Sequence, residues 1–183
     1  MERIIILVTL ATIFACGAEG QTPAPSNAPE DFSNIQNFLR VNDGICTGGQ
    51  PSMENLEKMK AQGVRSVVNL RQASEYDFEE EAATAKKLDL HYFHIPVDKN
   101  NLKDEQVEEF LKVTSDPQNR PIFIHCTSAG RVGTFWMIRR ALVDNWKVED
   151  AEAEARKVGM HDENLRNWAL DYIKRHQATD TKK

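Results

Sequence analysis

From Phe38 onward, short apolar runs alternate with longer stretches in which apolar residues recur every three or four positions. FLRVN (38–42) and GICTGG (44–49) predict two short strands. PSMENLEKMKAQG (51–63) predicts a helix with Ser52 as N-cap, Met53, Leu56 and Met59 on one side, and Gly63 as its stop. VRSVVNL (64–70) predicts a third strand. Residues 75–89 run acidic, then alanine-rich, then basic, the order that suits a helix dipole. LHYFHIPV (90–97) predicts a strand, and LKDEQVEEFLKVTS (102–115) a helix that turns Val107, Phe110 and Leu111 inward. RPIFIHC (120–126) has no polar face, as expected of a strand at the centre of a parallel sheet. Helices follow around Phe135, Ile138 and Leu142, then over 149–158. The last covers 163–175, with Leu165, Trp168, Ala169, Tyr172 and Ile173 forming a clean apolar stripe. This alternation predicts an α/β fold with a largely parallel sheet of four to five strands flanked by helices.

The first 16 residues differ. Arg3 precedes an apolar run from Ile4 to Ala15, shorter than the ~20 residues that span a bilayer, and Cys16-Gly17-Ala18 follows. This composition suits an export leader. IFAC resembles a bacterial lipobox, in which Cys16 is lipidated and anchors the protein to a membrane, while cleavage after Ala18 or Gly20 stays open as the alternative. Residues 17–30, rich in Pro, Gly, Ser and Thr, read as a flexible linker, and a single domain is expected over 31–183. The expected location is the periplasm or cell envelope. A net charge of −5 over 183 residues displays no basic face and argues against a nucleic-acid partner.

Candidate chemistry concentrates where RPIFIHC ends. In open α/β folds, sites lie beyond the C-terminal ends of the strands, and Cys126 stands at such an end. Thr127, Ser128, Ala129 and Gly130 are all small, so the backbone can wrap tightly and aim N–H groups at one point. The next helix adds the positive end of its dipole, and Arg131 adds a planar, permanently charged fork. The same features favour a thiolate, so one loop serves as anion cradle and as activator of a nucleophile. Cys46 reads as a buried strand cysteine; the sharper alternative is a reversible disulfide with Cys126. Arg71 and Gln50 end elements on the same side, with an Arg71–Glu75 ion pair as an equally good account of Arg71. Glu79–Glu81 reads as a solvated helix face, and His161-Asp162 as a helix boundary. Neither a metal-ligand spacing nor a nucleotide fingerprint is present, so no cofactor is expected.

HC…AGR after an apolar strand resembles the cysteine-dependent phosphatase superfamily, in particular its dual-specificity-like bacterial branch. GGQPSMENLEKMKAQGVRSVVNLR, LHYFHIPVD and IFIHCTSAGRVGTFWMIRRAL are similar, in order and spacing, to the phosphatase-like domain found alone or fused to β-lactamase-fold hydrolases, over about residues 38–160. The resemblance implies that Cys126 attacks a phosphomonoester, in a protein or a small molecule, to give a thiophosphoryl-enzyme. Arg131 and the amides from Thr127 to Arg131 would bind the phosphoryl oxygens. His125 would orient the loop, and Thr134, Thr127 or Ser128 would supply the hydroxyl that steadies the thiolate. Asp98, 28 residues before Cys126, would be the general acid, with Asp104 as runner-up. One departure matters. Four residues separate Cys126 from Arg131, where these phosphatases place five, and Val132 stands where they place Ser or Thr. A six-residue Cys-to-Arg loop resembles the rhodanese family instead, which implies sulfur transfer from a sulfane donor through a Cys126 persulfide. An inactive anion- or partner-binding domain is the third reading.

Overall fold

The computed structural model describes residues 31–180; the leader with Cys16 and the whole linker lie outside them. In chain order the elements are β1 (Leu39–Asn42), β2 (Ile45–Gly48), α1 (Met53–Ala61), β3 (Ser66–Asn69), α2 (Phe78–Lys87), β4 (His91–His94), α3 (Asp104–Ser115), β5 (Ile122–His125), α4 (Gly130–Leu142), α5 (Val148–Val158) and α6 (Glu163–Asp180), with one 3-10 turn at Pro117–Asn119. The strands form one sheet in the order β1-β2-β5-β3-β4. Only β1 is antiparallel, to β2. The architecture is the expected α/β one.

β5 takes the middle place because it alone has nothing polar to show on either face before His125. Its register sets Ile122 between Ile45 and Ser66, and His125 between Gly48 and Asn69. Alternation along the sheet then sorts the apolar residues into two layers. Ile45, Val68, Ile122 and Ile124 join the larger cluster with α3, α4, α5 and α6. Cys46, Val67 and Phe123 face Leu56, Met59 and Ala85 of α1 and α2.

Local signals set most of the boundaries. Ser52 Oγ accepts the Asn55 N–H at 3.1 Å while Asn55 Oδ1 accepts the Ser52 N–H at 3.1 Å, a reciprocal cap that starts α1. Gly63, at φ +87°, lets the chain leave α1. α2 begins later than expected, because the Asp77 carboxylate accepts from the N–H groups of Glu79 and Glu80 and caps the helix there. Residues 75–77 are therefore loop, at the C-terminal end of β3. β4 is shorter than 90–97, since Pro96 has no N–H to continue the ladder.

The proposed Cys46–Cys126 disulfide does not fit this fold. Cys46 pairs with Phe123, so Cys126 lies three residues further along, about 10 Å at ~3.3 Å per residue. A bridge needs Cα atoms within ~7 Å. The two thiols also belong to opposite layers, and both are free.

α4 is buried over most of its surface and lies closely against α5 at Gly133. A Cβ there would stand 2.6 Å from the Ala155 carbonyl and 2.9 Å from Met160 Cβ. Gly133→Ala is expected to cost about 1–3 kcal/mol by overpacking, measured by urea denaturation. An unchanged midpoint would mean that the α4–α5 contact yields freely.

Candidate active site

Cys126 follows β5 directly, and its N–H points to the Gly48 carbonyl at 3.4 Å. The loop that continues from it is held from outside. Gln50 N–H donates to the Thr127 carbonyl at 3.2 Å, and Asn37 Nδ2 donates to the Ser128 carbonyl at 2.9 Å. In a trans peptide the C=O and N–H point opposite ways, so the Thr127–Ser128 unit turns its N–H away from Gln50. Ala129 completes the turn in the left-handed region, at φ 66° and ψ 3°, a costly conformation for a residue with a Cβ. It is pressed between neighbours: a Cβ on Gly159 would lie 3.1 Å from both Ala129 Cβ and Ser128 O. α4 then starts at Gly130, and its first-turn N–H groups have no acceptor within the helix. A tight turn with a cysteine at its base thus leads straight into the N-terminus of α4.

Cys126, at 2 % exposure, sits at the base of a cleft of about 620 Å³ that Asp98, Thr127, Ser128, Gly130 and Arg131 also line. Ala129 is buried behind the loop. Asp98 and the Cys126 loop therefore share one space. Asp98 is a turn residue as well: its Oδ1 accepts the Asn100 N–H at 2.9 Å. Asp104 does not line this cleft; both its oxygens bind the Arg175 guanidinium, at 2.6 and 3.1 Å.

Arg131 is the most heavily engaged side chain in the site. Nη1 and Nη2 hold the two Glu75 oxygens at 2.6 and 2.7 Å. Nη1 also donates to the Val97 carbonyl at 2.8 Å, immediately before Asp98, and Nη2 donates to Thr127 Oγ1 at 3.0 Å. The hydroxyl of Thr127 in turn donates a hydrogen bond to Glu75 Oε2 at 3.0 Å. The Arg131 hydrogen bonds, against the opposing effect of burial, pull the Glu75 pKa from 4.5 down to about 2. Arg71 braces the Glu75 loop by donating to the Glu75 carbonyl at 2.7 Å and to Gln50 Oε1 at 2.9 Å. Its Nε lies 3.7 Å from the Glu75 carboxylate, so the expected ion pair is present.

Beneath the loop, His125 is fully buried and its Nε2 lies 2.8 Å from Glu81 Oε1. Glu81 is fully buried too, which corrects its reading as part of a solvated helix face. Gln50 Nε2 donates to its second oxygen at 2.5 Å. Burial disfavours the Glu81 carboxylate, yet His125 beside it, with hydrogen bonds from His125, Gln50 and Tyr92, holds its pKa below the ordinary value. His125 is thus held in place by Glu81 at the end of β5, next to Cys126. Thr134 is buried on α4, and its hydroxyl donates to the Gly130 carbonyl at 3.0 Å, bracing the helix start. His161 and Asp162, read as a helix boundary, also line the cleft. Among the described residues no cluster of His, Cys, Asp and Glu is arranged to hold a metal ion.

A family model described as DSP-PTPase phosphatase fused to NAD+ kinase matches residues 29–177. The chain is 33 % identical over 93 residues to inositol diphosphatase DSP2 of Oryza sativa subsp. japonica, covering 49 % of this chain and 46 % of that protein. It is 25 % identical over 118 residues to a beta-lactamase hydrolase-like protein of Agrobacterium fabrum, covering 62 % and 27 %. It thus spans less than half the length of each of these two relatives. The core catalytic domain of the PP-IP phosphatase SIW14 from S. cerevisiae, solved in complex with citrate, superposes with a TM-score of 0.64 at 21 % identity, covering 80 % of this chain and 94 % of that one. That likeness establishes a shared fold.

Two expectations follow from the buried and half-buried carboxylates. Glu81→Gln removes one charge from a buried pair and should destabilise the protein by about 3 kcal/mol; an unchanged denaturation midpoint would mean that His125 needs no carboxylate. Glu75 has its folded pKa depressed, so its contribution is present above pH 4.5 and is lost as pH falls toward about 2. The stability gap between wild type and Glu75→Gln should therefore narrow across that window, and a gap independent of pH would refute the ionised pair.

Proposed function

Because the chain belongs to the family of DSP-PTPase phosphatase domains fused to NAD+ kinase, we propose that it hydrolyses a phosphomonoester at the Cys126 loop. The observation that carries this reading is the convergence of Cys126, Arg131 and Asp98 on one cleft at the N-terminus of α4. The Cys126 thiolate attacks phosphorus and forms an S–P bond as the ester P–O bond breaks. Asp98 gives its proton to the leaving oxygen. Water then attacks the thiophosphoryl group, Asp98 takes a proton back, and phosphate leaves with the thiolate restored. Arg131 and the loop amides hold the non-bridging oxygens throughout. Before that, the phosphoryl group must compete with Glu75 for the same guanidinium. Taking residues 1–16 as an export leader, the reaction belongs to the periplasm or cell envelope, with Cys16 as a lipid anchor where it is modified.

The four-residue spacing between Cys126 and Arg131 supports a second reading, sulfur transfer through a Cys126 persulfide. A paired assay on the reduced protein separates the two. One arm measures phosphate released from an aryl phosphate; the other measures thiocyanate formed from thiosulfate and cyanide. Phosphate release is expected, abolished in Cys126→Ser and lowered about 10²-fold in kcat by Asp98→Asn. Thiocyanate alone would replace the phosphatase reading with sulfur transfer and leave Asp98 without a role. Silence in both arms would leave an anion- or partner-binding domain.

A further inference from the structure

The side of the molecule where β1 ends the sheet carries a second concavity, a groove of about 670 Å³ between β1 and α5. Leu39 and Val41 of β1, with Trp146 and Ala153 from the α5 side, supply its apolar lining. Trp146 is 38 % exposed, and with Val143 it is one of the two exposed large apolar side chains among the described residues. No residue of this groove lines the Cys126 cleft. The outer edge of β1 has no neighbouring strand, and an open edge is ordinarily paired or covered. Its register against β2 shifts between Arg40 and Asn42, so the edge offers a poor ladder to an added strand. A helix covers such an edge better.

The charges of the groove decide which helix that is. Glu154 is taken up by Arg140 and by the Trp136 ring N–H, and Arg40 donates to Gln62. Asp150 and Lys157 are exposed and have no side-chain partner among the described residues. They stand seven residues apart on the outer face of α5. That is about 10 Å along the axis, too far for them to pair with each other. Ala153 lies between them and is exposed too. A second α5 laid antiparallel across this face, with the two Ala153 side chains at the crossing, sets each Asp150 against the other copy's Lys157. A parallel arrangement sets like charges together. A two-fold axis thus satisfies both charges through one repeated contact, the condition for an isologous interface.

We propose that the α5–β1 face is a dimer interface, covered by a second copy of this chain about a two-fold axis near Ala153. Each α5 lies in the groove of the other copy, covers its β1 edge and takes Leu39, Val41 and Trp146 out of water. The small Ala153 side chain lets the helix axes approach to about 8 Å. The Cys126 clefts, which share no residue with the groove, lie outside the contact.

Analytical ultracentrifugation of the full chain over a range of concentrations reads this association directly. The sedimenting mass is expected to approach twice that of the chain as concentration rises, and the association to weaken with salt, which screens the Asp150–Lys157 pairs. Asp150→Lys sets lysine against lysine and should lower the association constant about tenfold or more. Lys157→Asp should do the same by setting acid against acid. The double variant Asp150→Lys/Lys157→Asp restores both pairs with their signs reversed and is expected to recover the dimer. Ala153→Arg, at an exposed position, should abolish it while circular dichroism shows the fold retained. A chain that stays monomeric at every concentration overturns the inference. So does association indifferent to these charges, as self-association through the apolar run of residues 4–15 would be, and so does a double variant no better than the single ones. The readout is mass and not phosphate release, so its outcome is independent of the phosphomonoester reading.

Discussion

The two-point contact between Arg131 and Glu75 joins the loops that make up the site. Arg131 starts α4, Glu75 belongs to the loop after β3, and the Val97 carbonyl that Arg131 also holds precedes Asp98 after β4. One guanidinium thus ties together three segments that leave adjacent strand ends. A planar fork with five donors can do this; an ammonium cannot reach all the acceptors in one plane. Arg131 is 8 % exposed, and burial acts to lower its pKa. The hydrogen bonds it donates to Glu75, with the neighbouring Cys126, outweigh that and raise it. These contacts offset the cost of burying the guanidinium.

A second buried polar pair lies one layer below. His125 and Glu81 are both fully occluded, and such a pair is tolerable only where further hydrogen bonds complete it. Gln50 completes it from the β2–α1 connection, and Gln50 also accepts from Arg71, which braces the Glu75 loop. The two pairs are therefore linked through Gln50 and Arg71. Above this polar layer, Ala129 holds a left-handed turn that Gly159 alone leaves room for. Strain in the loop is stored against rigid packing on both sides, and the cysteine is presented at a fixed height above β5.

Much of this could be read from the chain, for reasons that differ by element. β5 was legible because a central parallel strand must be apolar on both faces, and the site because strand ends in such sheets collect function. Cys126, Arg131 and Asp98 fell to the cleft as that rule implies. Glu75 was hidden by its neighbours. A run of acids before alanines suits a helix dipole, and the run conceals the Asp77 cap that ends the loop and leaves Glu75 free to reach Arg131. Glu81 was hidden for the opposite reason: it stands in a row of exposed acids, and burial of the third depends on His125 arriving from 44 residues away. The disulfide idea failed on register, which spacing along the chain does not reveal.

The short loop sharpens the demand on the anion. One residue fewer between Cys126 and Arg131 gives the backbone one donor fewer, so more of a bound anion's charge must be matched by Arg131. That same fork is held in advance by a carboxylate at 2.6 and 2.7 Å. A monoanion offers the guanidinium little that Glu75 does not already supply. A phosphoryl dianion brings a further charge and oxygens to spare for the loop amides, and charge-assisted contacts of that kind are worth about twice neutral ones. On the phosphomonoester reading, a bound anion must therefore displace or share this internal carboxylate at Arg131.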